Sequence, residues 1–310
     1  MAMKLFPEER NTRLTADATH PHPSVIPPSP DCRALVRKAL REDMGSGDIT
    51  SNALVSPRRQ AGAVILARGH YVVSGVDVAR TVFRELDPRL RFTAAVPDGQ
   101  FVEPDQPIAR LEGRARSILA GERTALNFLQ RMTGIASLTA HFVEKVKPHP
   151  VIILDTRKTT PLLRTLEKYA VLCGGGANHR MGLYDRVLIK DNHRRLWSAE
   201  HRGDLGAAVA TAQRQYPGIL IEVEVETESE LAQVLDAAPD WILLDNMPPD
   251  RLRRCVALAA GRCQIEASGG ITLDNAAEIA ATGVQAISLG CLSHSAPAAD
   301  LSLDLEENLF

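Results

Sequence analysis

Between residues 151 and 290 the chain repeats a pattern that few folds accommodate: a short apolar run, a polar turn, an amphipathic stretch, then the next apolar run. The runs are VIILD (151–155), RVLIK (186–190), ILIEVEVE (219–226), WILLD (241–245), CQIEASG (263–269) and AISLG (286–290). Between them lie the helical candidates PLLRTLEKYAVLC, DLGAAVATAQRQY, ESELAQVLDAA, DRLRRCVALAA and LDNAAEIAATG. Strands that alternate with helices of this length make βαβ units and a parallel sheet. In such a sheet every strand ends on the same face, which is where ligands bind. Nearly every run ends in a chemically capable residue: Asp155 followed by Arg157 and Lys158, then Lys190, Glu224, Asp245, Ser268 and Gly290. An open sheet would spread these along an edge, whereas a barrel gathers them around one centre. Contributions from every strand favour the barrel.

The preceding part of the chain reads differently. Residues 1–30, ending in HPHPSVIPPSP, are too proline-dense for regular structure and are expected to form a flexible tail or surface arm. From residue 31, RALVRKALRED and GVDVARTVFRELD have helical periodicity, while AGAVILARG, HYVVSG and LRFTAAVPDGQFVEPDQPIARLEG suit strands joined by Asp-Gly and Pro-Asp turns. This mixed α+β region closes near residue 114, and a long helical stretch, SILAGERTALNFLQRMTGIASLTAHFVEKV, leads out of it. The expected division is a tail (1–30), an N-terminal domain with its linking helix (31–146), a barrel catalytic domain (147–295) and a C-terminal segment (296–310) that is a candidate to return to the first domain.

Composition narrows the class of function. A net charge of −2 leaves no electrostatic footprint for nucleic acid or an anionic membrane, so any positive charge that matters is local. Five scattered cysteines without a CxxC read as reduced thiols of a cytoplasmic protein, and no apolar stretch is long enough for a signal peptide or a membrane span. No HxH, HExxH or Cys/His set is present for a tightly bound zinc.

The strand ends carry three kinds of chemistry. Arg157 and Lys158 in ILDTRKTTP, with His179, Arg180 and Lys190 from the next unit, bring a planar fork and compact charges to one rim, which suits carboxylates and a pyrophosphate. Lys190, after Val187, Leu188 and Ile189, is expected to be largely desolvated unless an anion or carboxylate pairs with it. It reads either as a Schiff-base nucleophile or as an anion ligand and proton donor. Glu222, Glu224 and Glu226 share one face of a strand, and Asp245 supplies a carboxylate from the neighbouring one. Such a pair can hold Mg²⁺, bind sugar hydroxyls or stabilise a cationic transition state. ASGGI, with Ser268, Gly269 and Gly270, reads as a phosphate cradle before a helix starting near Thr272, and Gly290 completes it. Strong positive charge at one end, two carboxylates in the middle and a phosphate cradle at the other end together describe a phosphorylated sugar lying between an anionic co-substrate and a pyrophosphate.

With these residues in hand, the sequence resembles the quinolinate phosphoribosyltransferase (nicotinate-nucleotide pyrophosphorylase, carboxylating) family. The similarity runs through GDITS, ERTALNFLQRMTGIAS, DTRKTTPLLRTLEKYAVLCGGGANHRMGLYDRVLIKDNH, IEVEVE, LLDN, EASGGI and SLGCLSHSAPAADLSLD, nearly the whole chain after residue 31. It implies an α/β protein with an N-terminal α/β sandwich domain and an incomplete α/β barrel of about six strands. It also implies Mg²⁺, a homodimer or larger assembly, and conversion of quinolinate and phosphoribosyl pyrophosphate into nicotinate mononucleotide, pyrophosphate and CO₂. By the same resemblance Arg123 enters the partner subunit's site and, with Arg157, His179, Arg180 and Lys190, faces quinolinate. Lys158 and Lys190 stand at the junction with the pyrophosphate. Glu224 and Asp245 meet the ribose hydroxyls and the metal, while Lys158, Ser268, Gly269, Gly270 and Gly290 hold phosphate.

Three other readings stay open, the second of them by resemblance. One is a lyase using Lys190, another a related transferase-like protein of molybdenum metabolism, and a third a metabolite-binding protein on the same barrel. The intact set of Arg157, Lys158, Lys190, Glu224 and Asp245 argues against the last.

Overall fold

The structure, a computed structural model, describes residues 29–201 and 204–306. The tail expected over residues 1–30 therefore lies outside the described residues except at its end, where the Ser29 hydroxyl caps the first helix by accepting the Cys32 N–H at 3.1 Å. The described residues form two compact units: residues 29–140, 165–175 and 295–306, and residues 141–164 and 176–294.

In the first unit, helix α1 (Pro30–Met44) buries Cys32, Val36 and Leu40, a stripe at i, i+4, i+8, and packs on α3 (Val76–Leu86). Between them come the short α2 (Ile49–Leu54), capped by Asp48, then β1 (Gln60–Ala67) and β2 (Tyr71–Val72). After α3 follow β3 (Arg91–Ala94), β4 (Phe101–Val102) and β5 (Pro107–Arg114), all paired antiparallel, and then the long helix α4 (Ala115–Val146).

The second unit holds the expected alternation. Its elements are β6 (Ile152–Leu154), β7 (Val187–Ile189), α6 (Asp191–His201), α7 (Leu205–Gln215), β8 (Ile221–Val225), α8 (Glu228–Leu235), β9 (Trp241–Asp245), α9 (Pro249–Ala259), β10 (Gln264–Ser268), α10 (Ala276–Ala280), β11 (Ala286–Ser288) and α11 (Cys291–His294). Helix α5 (Arg164–Cys173) lies between β6 and β7 in the chain. The strands are parallel in the order β6-β11-β10-β9-β8-β7. The last strand pairs with the first, as a barrel requires, and the one missing pairing is between β6 and β7. The expected incomplete six-stranded α/β barrel is thus the fold observed, and the gap has a definite place. Ala177 forms a single parallel bridge with Leu154 on the free edge of β6. Every residue of β8 is buried, so both faces of the sheet are covered and its alternating acids Glu222 and Glu224 turn to the side opposite Ile221, Val223 and Val225.

After α11 the chain adds β12 (Leu301–Glu306) antiparallel to β1, with Leu303 opposite Ile65, giving a four-stranded sheet β12-β1-β5-β3 in the first unit. Most of α5 also counts with that unit. Glu167, buried, takes the Arg131 guanidinium of α4 at 2.9 Å, and the Tyr169 hydroxyl donates to Asp98 at 3.0 Å. The Gly174–Gly176 run ends this helix. Gly175 adopts φ +84° at the end of α5, and a Cβ on Gly174 would come within 2.6 Å of Thr139 Cβ. Gly134 is equally constrained, since a Cβ there would overlap the carbonyl of Pro297, just upstream of β12. Gly134→Ala should therefore destabilise the protein by about 1–3 kcal/mol, read as a lower urea midpoint, because backbone cannot yield as a side chain can.

Candidate active site

The rim of the barrel is assembled from the loop after β6 and the segment that crosses its gap. Asp155, buried just beyond β6, accepts the His179 N–H at 2.8 Å and the Asn178 amide at 2.6 Å, tying these two loops together. Arg164 ties them again. Its guanidinium donates to Thr159 Oγ1 at 3.0 Å, to the Met181 carbonyl at 3.1 Å and to the Arg157 carbonyl at 3.4 Å. Arg164 is a supporting residue that sequence reasoning missed, because a basic residue opening a helix carries no distinguishing pattern.

This frame brings Arg157 and Arg180 together. Arg180 is buried and donates to the Arg186 carbonyl at 3.3 Å; burial and the neighbouring Arg157 charge both hold its guanidinium below its ordinary pKa. The Nε of Arg157 is buried with no hydrogen-bond partner. Two neighbouring guanidiniums, one with an orphaned donor, favour an anion between them.

His179 behaves differently from the rim ligand anticipated beside Arg180. Its ring lies beneath the rim: Nδ1 accepts the Arg180 N–H at 2.7 Å, and Nε2 is 2.9 Å from Glu222 and 3.6 Å from Glu266. Burial opposes an imidazolium, but the two carboxylates outweigh it and raise the pKa above its usual value. The acids divide the charge: burial is opposed at Glu222 by His179 and Arg186, which lower its pKa, while burial and the Glu222 charge raise that of Glu266. His179, Glu222 and Glu266 have ligand atoms within 4.8 Å of one another, close enough to share a metal. Arg186, however, approaches Glu222 to 3.1 Å, and its guanidinium supplies the positive charge there. The sequence showed no reason to connect Arg186 with Glu222, 36 positions apart.

Lys190 takes the second branch of its sequence reading, pairing with a carboxylate. β7 ends at Ile189, and the Lys190 side chain is 45% exposed with Nζ 3.6 Å from Glu224 Oε2. Glu224 is buried, which raises its pKa; Lys190 opposes the shift and the Asp245 charge adds to it. Glu224 and Asp245 are therefore neighbours, as anticipated, whereas Glu226 lies past the strand end and is exposed, its N–H bonded to Glu230 at 2.8 Å.

At the other side of the rim, Ser268 stands in register with Asp245 on one neighbour and Ser288 on the other. Gly269 and Gly270 follow at φ +87° and +65°. The helix expected near Thr272 begins only at Ala276 and is short, so the cradle is a glycine turn rather than a helix terminus. A Cβ on Gly290 would lie 2.9 Å from Lys158 Cδ and 3.0 Å from His294 Nε2, so this glycine admits both side chains. His294 was missed in sequence; its spacing of four from Gly290 was the available signal. Arg123 sits on α4 in the first unit, largely exposed, 3.8 Å from Glu122.

Comparison with known proteins follows the same outline. Profiles for the C-terminal and N-terminal domains of quinolinate phosphoribosyl transferase match residues 135–304 and 48–133. The chain belongs to the quinolinate phosphoribosyltransferase family. It is 40% identical over 273 residues to a probable nicotinate-nucleotide pyrophosphorylase [carboxylating] of Bacillus subtilis (strain 168), covering 88% of this chain and 93% of that one. It is 38% identical to a mitochondrial quinolinate phosphoribosyltransferase [decarboxylating] of Nicotiana tabacum, covering 97% of this chain and 88% of that one. The nicotinate-nucleotide pyrophosphorylase structure from Francisella tularensis superposes with TM-score 0.86 at 36% identity, over 93% of this chain and 100% of that one. NadC of Streptococcus pyogenes gives 0.87 at 36%, over 92% and 99%. Among the described residues no helix is long and apolar enough to cross a membrane.

The buried charge set beneath this family's rim makes a stability prediction. Arg186→Met strands the Glu222 carboxylate and should cost about 3–5 kcal/mol in denaturant unfolding. Glu266→Gln replaces an acid whose ionised form burial and the Glu222 charge already disfavour, and should cost less than about 1 kcal/mol.

Proposed function

We propose that this protein transfers the phosphoribosyl group of phosphoribosyl pyrophosphate to quinolinate with loss of CO₂, forming nicotinate mononucleotide and pyrophosphate in NAD biosynthesis. The observation that carries this reading is the Arg157–Arg180 pair, with its orphaned buried donor, on the same rim as Glu224, Asp245 and the glycine turn. The guanidiniums suit the two carboxylates of quinolinate and would orient its ring nitrogen toward the ribose. Lys158, folded against Gly290, suits the pyrophosphate-bearing end, and Ser268, Gly269, Gly270 and Gly290 suit the 5′-phosphate.

As the N–C1 bond forms, the C1–pyrophosphate bond breaks and positive charge develops on the ribose. Glu224 and Asp245 stabilise that charge and hold the ribose hydroxyls. The new pyridinium then accepts the electron pair left at C2 when the carboxylate departs as CO₂, and C2 takes up a proton. Glu224 and Asp245, an all-oxygen carboxylate pair in which the Asp245 charge adds to the raised pKa of Glu224, fit a hard cation such as Mg²⁺. Bound there, Mg²⁺ would neutralise the pyrophosphate leaving group. Lys190 pairs with Glu224, Nζ to Oε2 at 3.6 Å, and its side chain is 45% exposed, not enclosed in an apolar pocket, which disfavours a Schiff-base lyase. The exposed Arg123 is assigned to a neighbouring subunit's quinolinate site in a homodimer.

The direct test follows mononucleotide and CO₂ with quinolinate against nicotinate as substrate. The expected result is stoichiometric release of both products from quinolinate alone, abolished by EDTA and restored by Mg²⁺. Product from nicotinate without CO₂ would refute the reading. Arg157→Ala or Arg180→Ala should raise the KM for quinolinate about ten- to a hundredfold, the size of a lost charge-assisted hydrogen bond. Glu224→Gln and Asp245→Asn should mainly lower kcat. At quinolinate well below the raised KM values, equimolar mixing and subunit exchange of the impaired Arg123→Ala and Arg157→Ala proteins should restore about a quarter of the activity through mixed dimers; no recovery would separate Arg123 from the neighbouring site.

A further inference from the structure

Asn246 follows β9 directly and stands between two parts of the rim. Its φ of +53° lies in the left-handed region, which Asn tolerates better than most residues. That conformation turns the side chain back on its neighbour, so Nδ2 donates to Asp245 Oδ2 at 2.7 Å. Its backbone N–H donates to the Ser268 carbonyl at 2.9 Å, joining it to the end of β10. The same amide lies flush against the glycine turn: a Cβ on Gly269 would come within 2.6 Å of Asn246 Cγ. Beyond it, Asn275 holds the rest of the turn, donating to the Gly270 carbonyl at 3.1 Å and accepting the Thr272 N–H at 2.8 Å.

One side chain thus fixes a carboxylate of the rim and fills the space that Gly269 leaves. We infer that Asn246 is a positioning residue of the phosphoribosyl half of the site, setting the Asp245 carboxylate relative to the phosphate-binding turn. The inference rests on the proposed roles of Asp245 and of the Ser268–Gly270 turn. With Oδ2 held by the amide, Asp245 meets its ligand through the other oxygen in one orientation. The glycine turn, backed by the same amide, keeps its N–H groups at a constant separation from that oxygen. Ribose hydroxyls and 5′-phosphate are rigidly spaced in the substrate, so a site that loses this spacing loses affinity for that substrate and not for the dicarboxylate.

Substitution by glycine separates the side chain from the backbone. Asn246→Gly accepts a positive φ without strain and removes the amide, whereas Asn246→Ala loses the amide and strains the backbone. The full-length protein would be assayed as Asn246→Gly, Asn246→Ala and, as a control on the underlying assignment, Asp245→Asn. Asn246→Gly should keep the parent unfolding midpoint yet raise both the KM and the equilibrium Kd for phosphoribosyl pyrophosphate about tenfold, with the KM for quinolinate changed less than about twofold. Asn246→Ala should show the same kinetic split and a lower midpoint. An unchanged affinity for phosphoribosyl pyrophosphate in Asn246→Gly, beside an impaired Asp245→Asn, would overturn the positioning role alone. Equal losses for both substrates would also overturn it, marking the residue as structural. If Asp245→Asn is itself unimpaired, the site assignment falls and the inference with it.

Discussion

The buried carboxylate of Asp155 carries the rim of this barrel. A parallel sheet closes on itself only if its first and last strands pair, and here one junction, between β6 and β7, is left open. An open edge in a barrel is a row of unmatched backbone groups. The chain covers part of it with Ala177, bridged to Leu154, and then crosses toward β7. Asp155 holds that crossing by accepting a backbone N–H and a side-chain amide, so the residues that follow, His179 and Arg180, are placed by the strand they have just left. The missing pairing is therefore also what frees a segment to enter the site.

Beneath this crossing the interior is charged in layers. Glu222 and Glu266 point inward from β8 and β10, and His179 with Arg186 stand against them. The lower layer is close to self-neutralising, because the Glu222 and Glu266 carboxyls stand against the Arg186 guanidinium and the His179 imidazole. The upper layer is not: the charges of Arg157 and Arg180 oppose each other, with a buried donor of Arg157 left over. Acids below and cations above let the rim keep an excess of positive charge without an equal cost in folding, since the lower layer anchors the loop that carries Arg180.

Much of the architecture was legible because it is written in periodicity. Alternating runs gave the parallel barrel, and strand ends pointed to Arg157, Lys158, Lys190, Glu224, Asp245, Ser268 and Gly290 as one rim. What failed concerned side-chain direction and local boundaries. Lys190 follows three apolar residues, and the sequence left open whether burial or a carboxylate awaited it; the strand ends before it and Glu224 lies 3.6 Å from its Nζ. His179 neighbours Arg180 in sequence, but its ring turns into the barrel, where only the fold brings Glu222 and Glu266 to it. Helix α6, DNHRRLWSAEH, was not anticipated, because it buries none of its residues and so has no apolar stripe to read.

The sequence by itself determined the class of fold and which residue types stand at the strand ends, since both follow from the spacing of apolar residues along a chain that must bury them. Tertiary structure alone decided which of those residues share charge, because Coulomb interactions depend on distance in space and not in sequence. The pairings of Arg186 with Glu222, Lys190 with Glu224 and Asn246 with the Gly269 turn each join segments separated by more than 20 residues, and no local pattern announces them.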